Sequence, residues 1–410
     1  MQRFWGAAIL ARWSRNFTQR RKGAKNGGAF FAPLRLCVRL VPVLLLCVSI
    51  NAQSTLEKLS RTYLEDRNAA AERALREFAA AHADEETGPE AYFVLGYTAF
   101  QEKDYSTAAE FLRLAARVHT PLSDYAEFYL AAARQNSGDH PGAIPVLTGF
   151  DSRNPDSFLN SRAALALATG LLVTDKPKQA AELLSARRDT LPHPAVDLLL
   201  ANAWEAAGNT AKSLAAYSEI YYQHAASAEA VEAAKHKDQF AKPTADRLAG
   251  RADTLLDAGP RASTRAERMR LLEAAQSAYK ELAAVAKGAA RERSQVRLGR
   301  VLYQLGQTAT ARTALAALKP ADPEADAERL YYLGESNRRL KREDDFLAQV
   351  QALGRRHPKS SWYEEALFSA SNYTLVTHNA SEAAKLYGRL AELFPQGKYA
   401  AQSGDRKSVV

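Results

Sequence analysis

The sequence predicts an all-α solenoid of stacked helical hairpins, and three observations support this prediction. Small residues recur at a fixed spacing, prolines follow them in a fixed phase, and the alternating β-branched runs typical of strands are absent. The recurring small residues, called anchors here, are Gly96, Ala131, Ala168, Ala201, Gly299, Gly334 and Ser371. Successive anchors lie 33 to 37 residues apart within 96–201 and within 299–371. That distance is the period of a helix–turn–helix repeat.

Three further positions follow each anchor in the same phase. Twelve residues on are Ala108, Ala143, Ala180, Ser213, Ala311, Phe346 and Ala383. Sixteen residues on are Leu112, Leu147, Leu184, Tyr217, Leu315, Val350 and Tyr387. Twenty-four residues on are Thr120, Pro155, Pro192, Ala225, Pro323, Pro358 and Pro395. Five of the last seven are proline, although only 16 prolines occur in 410 residues. Because proline lacks an N–H, we expect it to separate one hairpin from the next.

The first unit shows how one hairpin is built. Its first helix has one apolar face, made of Tyr92, Leu95, Gly96 and Ala99. Since Gly96 has no side chain, a second helix can approach closely there. Lys103 and Asp104 form the predicted turn. The facing stripe of the second helix is Tyr105, Ala108, Leu112 and Ala115. Gly138, Gly208 and Gly306 lie seven residues after their anchors and predict the same turn.

In spacing and residue type, this Tyr–Leu–Gly…Tyr–Ala…Leu–Ala pattern resembles the tetratricopeptide repeat (TPR). The resemblance implies a TPR-like right-handed α-superhelix. Such a superhelix binds a protein or peptide in its concave groove. Because one unit cannot bury its own apolar face, about three or more must stack.

The chain divides into five segments. Residues 1–53 are a leader, 54–226 the first half of the solenoid, and 227–290 an irregular helical connector. Residues 291–403 are the second half, and 404–410 an anomalous tail that suggests truncation. The first half opens with helical residues 54–84, whose apolar positions are Leu59, Tyr63, Leu75 and Phe78. In the connector we expect one helix over Ser227–Phe240, a break at Pro243, and a repeat-like pair over Leu248–Gly259 and Leu271–Val285.

The leader has the features of a secretory signal peptide. Basic residues precede an apolar run from Leu40 to Ile50, and small residues around Ala52 offer a cleavage zone. That run is shorter than the roughly 20 residues a spanning helix needs. We therefore predict export to the periplasm, with no stable membrane span after cleavage. An organelle transit peptide is the alternative, because the first 30 residues are Arg-rich and acid-free.

The net charge of +9 belongs to the leader. Nine of the 55 Lys and Arg residues lie in 1–53, which contains no Asp or Glu, so residues 54–410 carry 46 basic and 46 acidic side chains. This balance argues against nucleic acid as a partner. Both cysteines, Cys37 and Cys47, also lie in the leader. Thiolate catalysis, disulfides and Cys-based metal sites are thereby excluded from the rest of the chain.

Four segments resemble the N-terminal superhelix of bacterial soluble lytic murein transglycosylases: Asp124–Ala131, Tyr221–Ala230, Arg251–Gly259 and Phe394–Ala400. In that family the superhelix is non-catalytic and holds a C-terminal domain that cleaves peptidoglycan. The family's catalytic Glu-Ser pair and Gly-Leu-Met-Gln segment have no match, since the one Glu-Ser here is Glu335-Ser336 inside a repeat. We therefore predict no catalytic residue, no cofactor site and no metal site in this chain.

Acidic and histidine candidates have a structural interpretation that outweighs the functional one. Glu335, beside an anchor glycine, is expected to be solvated or to pair helices rather than to act as a general acid. The acidic pairs Glu85-Glu86, Asp344-Asp345 and Glu364-Glu365 lie where helices start, and carboxylates favour helix N-termini. The eight histidines contain no His-Glu-x-x-His motif. They are His82, His119, His140, His193, His224, His236, His357 and His378, of which the turns are expected to hold His140, His357 and His378.

Basic clusters offer the better binding candidates. They are Arg338, Arg339, Lys341 and Arg342, the pair Arg355 and Arg356, and the insertion residues Arg261, Arg265, Arg268 and Arg270. They could attract peptidoglycan carboxylates or an acidic partner, although Lys and Arg at helix C-termini are usually solvated.

Two functions follow from the sequence. One is the scaffold half of a transglycosylase, and the other is a stand-alone periplasmic adaptor for protein–protein interaction.

Overall fold

The computed structural model describes residues 52–377 and 379–402, and within them the fold is a row of helical hairpins. The first helices of the seven hairpins are α3 (Thr87–Gln101), α5 (Ser123–Asn136), α8 (Asn160–Val173), α10 (Ala195–Ala206), α15 (Gly288–Gln304), α17 (Pro323–Arg339) and α19 (Ser361–Val376). The second helices are α4 (Tyr105–Ala115), α6 (His140–Leu147), α9 (Pro177–Arg187), α11 (Thr210–Gln223), α16 (Thr308–Ala317), α18 (Glu343–Arg356) and α20 (Ala380–Leu393). A one-turn helix α7 (Phe150–Arg153) follows α6.

The predicted phase is confirmed in all seven hairpins. Every anchor lies on a first helix, and the residues twelve and sixteen positions later lie on the second helix. The residues sixteen positions on are at most 5% exposed. At Gly96 the reason is direct, since a β-carbon there would lie 2.7 Å from Cγ of Leu112 and 3.0 Å from its backbone nitrogen. The anchor is therefore small because the second helix fills the space of its side chain.

The turn between the two helices also repeats. Seven residues after an anchor the backbone has positive φ at Lys103, Gly138, Asp175, Gly208, Gly306 and Lys341. The seventh equivalent, His378, lies outside the described residues. The next residue caps the second helix in four hairpins, because the side chains of Asp104, Asp139, Asn209 and Asn379 accept hydrogen bonds from backbone N–H groups. The glycines of three hairpins supply this conformation without a Cβ penalty.

Residues before the first hairpin form a further antiparallel pair. Helix α1 (52–66) leads into α2 (Ala69–Ala81), with Tyr63 and Leu75 buried and Leu59 and Phe78 packed on the core. The predicted opening helical stretch is confirmed. Its link to the first hairpin is polar as well as apolar, because Arg67 donates to the Glu102 carboxylate over 3.0 Å.

The connector contains three helices, and one of them differs from expectation. Residues 227–240 do not form one α-helix: α12 (Ala228–Ala233) tightens into a 3₁₀ segment, Ala234–Gln239. The expected repeat-like pair is present as α13 (Ala245–Ala258) and α14 (Arg265–Val285). A 3₁₀ turn, Gly259–Arg261, joins them, and α14 begins inside the basic insertion rather than after it. Thr264 caps that earlier start by accepting from the Glu267 N–H over 3.1 Å.

Two other predictions concern β-structure and the chain ends. No strand occurs between residues 52 and 402, apart from His378, which is not described. Near the C-terminus, a turn of helix begins at Ala400 and the description ends at residue 402. The leader up to residue 51, with Cys37 and Cys47, and the tail 403–410 lie outside the described residues. Predictions about them stay predictions.

Replacing Gly96 with alanine should destabilise the protein. Its new methyl group would collide with backbone and side-chain atoms of Leu112, which sits in the core at 0% exposure. Overpacking of this kind costs about 1–3 kcal/mol, measured as the shift in the midpoint of urea unfolding. Gly250→Ala, also within a helix, is the matched control because no atom lies within 4 Å of its β-carbon. That control should be neutral or stabilising by up to about 1 kcal/mol, and equal effects of the two changes would contradict the packing argument.

Candidate binding face on the first helices

The stack has an inner side formed by the first helices. Within the described residues, consecutive first helices contact one another along α3, α5, α8 and α10 and again along α15, α17 and α19, while consecutive second helices make no comparable contact. A row of hairpins in which one set of helices lies closer together curves toward that set. We call the solvent-facing surface of the first helices the inner face. It is the concave side, where a solenoid presents an extended binding surface.

An aromatic band covers the inner face of the first two hairpins. It consists of Phe93, Tyr97, Phe100, Tyr125 and Tyr129. The Tyr97 and Tyr129 ring centroids lie 4.9 Å apart, edge to face, and those of Phe100 and Tyr129 lie 5.1 Å apart. Tyr97, Phe100 and Tyr125 are partly exposed. Burial, with the neighbouring Tyr129 as a smaller cause, raises the pKa of Tyr97 to about 12, so its hydroxyl is protonated at neutral pH.

Hydrogen-bonded charges occupy the equivalent region of the last three hairpins. Glu335 on α17 accepts from the Tyr303 hydroxyl of α15 over 3.1 Å and from Nη2 of Arg338 over 2.7 Å, and Ser369 of α19 donates to its other oxygen. The hydrogen bond to Glu335 is the largest cause of the raised pKa of Arg338. Burial, reinforced by the Glu335 charge, raises the pKa of Tyr303 to about 12. Glu335 thus ties three consecutive first helices together.

The expectation that Glu335 is either solvated or helix-pairing is therefore half right. Its side chain is buried, so the solvated alternative is wrong, and pairing between helices is confirmed. A fully engaged carboxylate lacks the free approach to a substrate that a general acid needs. The geometry gives Glu335 a structural role.

A second group of ion pairs involves neighbouring helices of the same region. Arg300 on α15 donates to Glu328 on α17 over 3.1 Å, and Arg297 pairs with Asp253 on α13. Burial raises the pKa of Glu328, and the charges of Arg300 and Arg297 oppose that rise. Since these cations offset the cost of burying the carboxylate, the pairs fix the angle between neighbouring hairpins. The inner face of the second half is therefore a rigid polar frame.

Four of the nine arginines in the predicted basic clusters make contacts within the second half. Arg338 binds Glu335, Arg342 binds Asp345 over 2.6 Å, and Arg356 binds the buried Asp326 over 2.8 Å. Arg339 donates to the Tyr303 carbonyl over 3.0 Å and lies 3.6 Å above its ring. The expectation of solvated helix ends is confirmed in part, because Arg339, Arg342 and Arg356 stay exposed while making these contacts, whereas Arg338 is partly buried against Glu335 on its own helix. The insertion arginines are placed differently and remain exposed.

The acidic pairs lie at helix starts as predicted. Asp344 and Asp345 are in the first turn of α18, Glu364 is in the first turn of α19, and Glu86 directly precedes α3. Glu365, next to Glu364, accepts from the Lys398 ammonium over 2.7 Å. These carboxylates therefore lie at helix starts or contact a neighbouring segment, as Glu365 does.

The histidines are distributed among separate contacts. His193 and His224 flank the buried Asp197, with Nδ1 of His193 at 2.6 Å from its carboxylate. His357, which directly follows α18, places Nε2 at 2.7 Å from the Asp326 carboxylate. His140 is the first residue of α6, immediately after the turn. Over residues 52–377 and 379–402, no three His, Cys, Asp or Glu side chains are grouped to hold a metal ion.

The sequence argument missed the aromatic band and the Glu335 contacts. A signal for the band was present, because Phe93, Tyr97, Tyr125 and Tyr129 are spaced four apart on two successive first helices. For Glu335 the partners Tyr303 and Ser369 lie 32 and 34 residues away. Nearly one repeat period separates them, so the period itself was the available clue.

Comparison with known families supports the repeat assignment. A tetratricopeptide repeat family model matches residues 293–323, which comprise most of α15, all of α16 and the proline that starts α17. No protein of curated function matches the sequence. The family resemblance predicted from the anchor pattern is thus confirmed at the level of tetratricopeptide-like repeats. The narrower resemblance to lytic transglycosylases stays a prediction.

Three of the solved structures that match this chain have 12–14% sequence identity to it. A tetratricopeptide repeat protein from Parabacteroides merdae is 13% identical, with a TM-score of 0.32, over 68% of this chain and 96% of its own. The TPR2AB domain of yeast Sti1 in complex with pHSP90 is 14% identical, with a TM-score of 0.26, over 78% and 97%. A structure of Naa15/Naa10 bound to HypK-THB gives 12% identity and a TM-score of 0.37 over 90% of this chain. This chain spans 63% of the length of that matched chain.

The protein is a tetratricopeptide-like helical solenoid. Its described helices include none that is both long enough and apolar enough to span a membrane. The inner face combines an aromatic, partly exposed first half with a charged, internally bonded second half. Chemically, such a surface can bind and orient another molecule.

Removing the Glu335 charge should lower the stability of the second half of the solenoid. With Glu335→Gln, Arg338 loses its anionic partner and the Tyr303 and Ser369 hydroxyls lose a charged acceptor, at a cost of about 2 kcal/mol. The midpoint of urea unfolding measures this cost. Glu324→Gln on the same helix is the matched control, because Glu324 is exposed and should change stability by less than about 0.5 kcal/mol. Indistinguishable midpoints for the two variants would show that Glu335 does not join the hairpins.

Proposed function

We propose that this protein is a non-catalytic scaffold that holds a peptide segment of a partner protein along its inner face. The observation that carries this proposal is the aromatic band on α3 and α5, in which Tyr97, Phe100 and Tyr125 are partly exposed on the concave side. The proposal agrees with the repeat class, since stacked hairpins create extended concave surfaces. An extended or a helical segment would fit such a surface.

Energetics favour the aromatic band as the main contact. Tyrosine and phenylalanine bury a large apolar area and lose little side-chain entropy when they bind, and tyrosine adds a hydroxyl that can pair with a peptide backbone. In the last three hairpins the charged groups already satisfy one another across α15, α17 and α19. A ligand there would have to compete with existing hydrogen bonds. The affinity should therefore come mainly from the first two hairpins.

The test uses peptides of twelve residues selected from a random display library against the full-length protein. Replacing Tyr97 and Tyr125 together with alanine should weaken binding of the selected peptides by about 2 kcal/mol or more, since centrally placed aromatic residues dominate binding energy. Fluorescence anisotropy with labelled peptide measures this as at least a roughly thirtyfold rise in Kd.

The control is Leu114→Ala with Leu183→Ala, which changes two partly buried residues on the second helices α4 and α9. It should leave Kd within about twofold, since the change lies away from the inner face. Peptides that bind the tyrosine variant as tightly as the wild type would overturn this placement of the groove. A library that yields no binder to the wild type would count against the peptide-scaffold proposal itself.

We further propose that the protein acts in the cell envelope after export. The support is the composition of residues 1–53, which contain no acidic residue and in which basic residues precede the apolar run Leu40–Ile50. Expression of the full-length chain in a Gram-negative host should yield a mature periplasmic form that begins near residue 54, as read by intact-mass spectrometry of fractionated cells. A full-length product confined to the cytoplasm would contradict export.

A narrower form of this proposal is the non-catalytic superhelix of a lytic transglycosylase. Its support is the resemblance in sequence of segments such as Tyr221–Ala230 and Arg251–Gly259 to that superhelix. In that case the protein would position a separate catalytic domain on peptidoglycan and would not degrade the polymer. Release of soluble muropeptides from purified sacculi by this protein alone would exclude a purely scaffolding role.

A further inference from the structure

Helix α14 is longer than a hairpin requires. It has 21 residues, whereas the second helices of the seven hairpins have between 8 and 14. Its first core residue is Leu271, the seventh residue of the helix. The turns before Leu271 therefore extend past the part of the helix that packs on the core. We call residues 261–270 the basic projection.

The base and the start of the projection are both held in place. A β-carbon at Gly259 would lie 2.7 Å from Cδ2 of Leu272, so the end of α13 packs tightly on α14. At its start, Thr264 caps the helix, and the Ser263 hydroxyl donates to the Glu267 carboxylate over 3.1 Å. This reciprocal capping gives the projection a defined helical conformation. Side chains on it are thus presented from a rigid support.

The projection carries the four arginines of the insertion: Arg261, Arg265, Arg268 and Arg270. All four are exposed, and none of their guanidinium groups forms a hydrogen bond or ion pair with another residue in the described part of the chain. Glu267 is the one acidic residue in 261–270, and it is engaged in the cap. Outside the projection, Asp257 lies 3.9 Å from Arg300 instead.

This arrangement contrasts with the arginines of the second half. Arg297, Arg300, Arg338 and Arg342 each have a carboxylate partner on a neighbouring turn or helix. The projection instead groups four arginines without a carboxylate partner within ten consecutive residues, 261–270. Arg265 and Arg268 lie three residues apart on one side of α14, and Arg270 lies further round the helix.

From this contrast we infer that the basic projection is a second interaction surface, which binds a carboxylate-rich segment of a partner protein. Guanidinium groups pair with carboxylates through two parallel hydrogen bonds, and a rigid support lowers the entropy lost on binding. The charge complement of this surface is a run of Asp and Glu residues. Because residues 54–410 have equal numbers of basic and acidic side chains, the attraction is local to the projection. Such a local patch matches a short acidic peptide better than a long polyanion, which needs an extended basic stripe.

The inference does not rest on the peptide groove of the first two hairpins. The aromatic band lies on α3 and α5, whereas the projection comprises the segment between α13 and α14 and the first turns of α14. A partner could therefore bind either surface alone. If one partner contacts both, the two weak contacts would add through effective concentration.

The experiment measures binding of a fluorescein-labelled, twelve-residue polyglutamate to the full-length protein by anisotropy at low ionic strength, about 50 mM. The test variant changes all four arginines of the projection to glutamine. The matched control removes four exposed positive charges elsewhere, by glutamine substitution of Arg113, Arg117, Lys176 and Lys178. We expect the test variant to bind about tenfold or more weakly than the control, and the control to match the wild type.

A photo-crosslinking copy of the peptide locates the contact, which also separates the projection from the basic leader. Crosslinks found by mass spectrometry within about one helical turn of residues 261–270 support the inference. Equal affinity of the test variant and the control, or crosslinks confined to the leader, would overturn it. The test variant could also lose binding because α14 unfolds, which a large fall in its thermal stability would reveal. In that case a second variant decides, in which all four arginines are changed to lysine and the charge is kept. If that variant does not bind either, the inference is overturned.

Other anionic partners are tested in parallel. Vesicles of phosphatidylcholine with about 30% phosphatidylglycerol and a duplex DNA fragment are offered to the same three proteins. Loss of vesicle or DNA binding in the test variant without loss of polyglutamate binding would replace the acidic-protein partner by a membrane or a nucleic acid. Loss of polyglutamate binding alone supports the inference as stated.

Discussion

The close contact between the two helices of each hairpin is the constraint on which the rest of this structure depends. A small anchor on the first helix leaves room for the residue sixteen positions later, and at Gly96 that residue is Leu112, packed against the position of the missing side chain. Once two helices lie this close, the apolar faces they share are covered, but the outer flanks of the hairpin are not. Stacking of neighbouring hairpins covers those flanks, because an isolated hairpin cannot. The repeat, the row and its curvature all follow from this one contact.

Adjacent hairpins are joined by different chemistry in the two halves. In the first half the inner face is bridged by aromatic rings, which tolerate small changes of angle and remain partly exposed. In the second half, Glu328 binds Arg300 and Glu335 binds Tyr303 and Ser369 across neighbouring helices. Burying a carboxylate is costly unless its partners are correctly placed, so these contacts specify one arrangement more strictly than they stabilise it. A compliant binding region beside a rigid frame suits a scaffold that must hold one partner in a defined orientation.

The charged side chains likewise differ in their surroundings from one part of the chain to another. Most cations of the second half are consumed by the frame itself, and the overall balance of residues 54–410 leaves no large surface field. Four arginines without an internal anionic partner lie close together in residues 261–270, at the start of α14. A protein of this class can therefore combine an apolar contact on its concave side with a separate electrostatic contact. The two differ in their response to salt, because screening weakens only the second.

The sequence by itself determined the repeat. It was sufficient for the number of hairpins in the two regular regions, the anchor positions, the turns, and the residues packed between the two helices of each hairpin. These features depend on contacts within about 35 residues and on side-chain size, and both recur visibly along the chain. The start of α14 was placed too late because the basic insertion was taken for an interruption, whereas Thr264 and Glu267 cap a helix there. The 3₁₀ segment Ala234–Gln239 was missed because its composition differs little from that of an α-helix. Only the tertiary structure decided which charges are buried, since the partners of Glu335 come from three helices and their proximity is set by stacking rather than by local sequence. The tertiary structure likewise decided which arginines have no carboxylate partner within the protein.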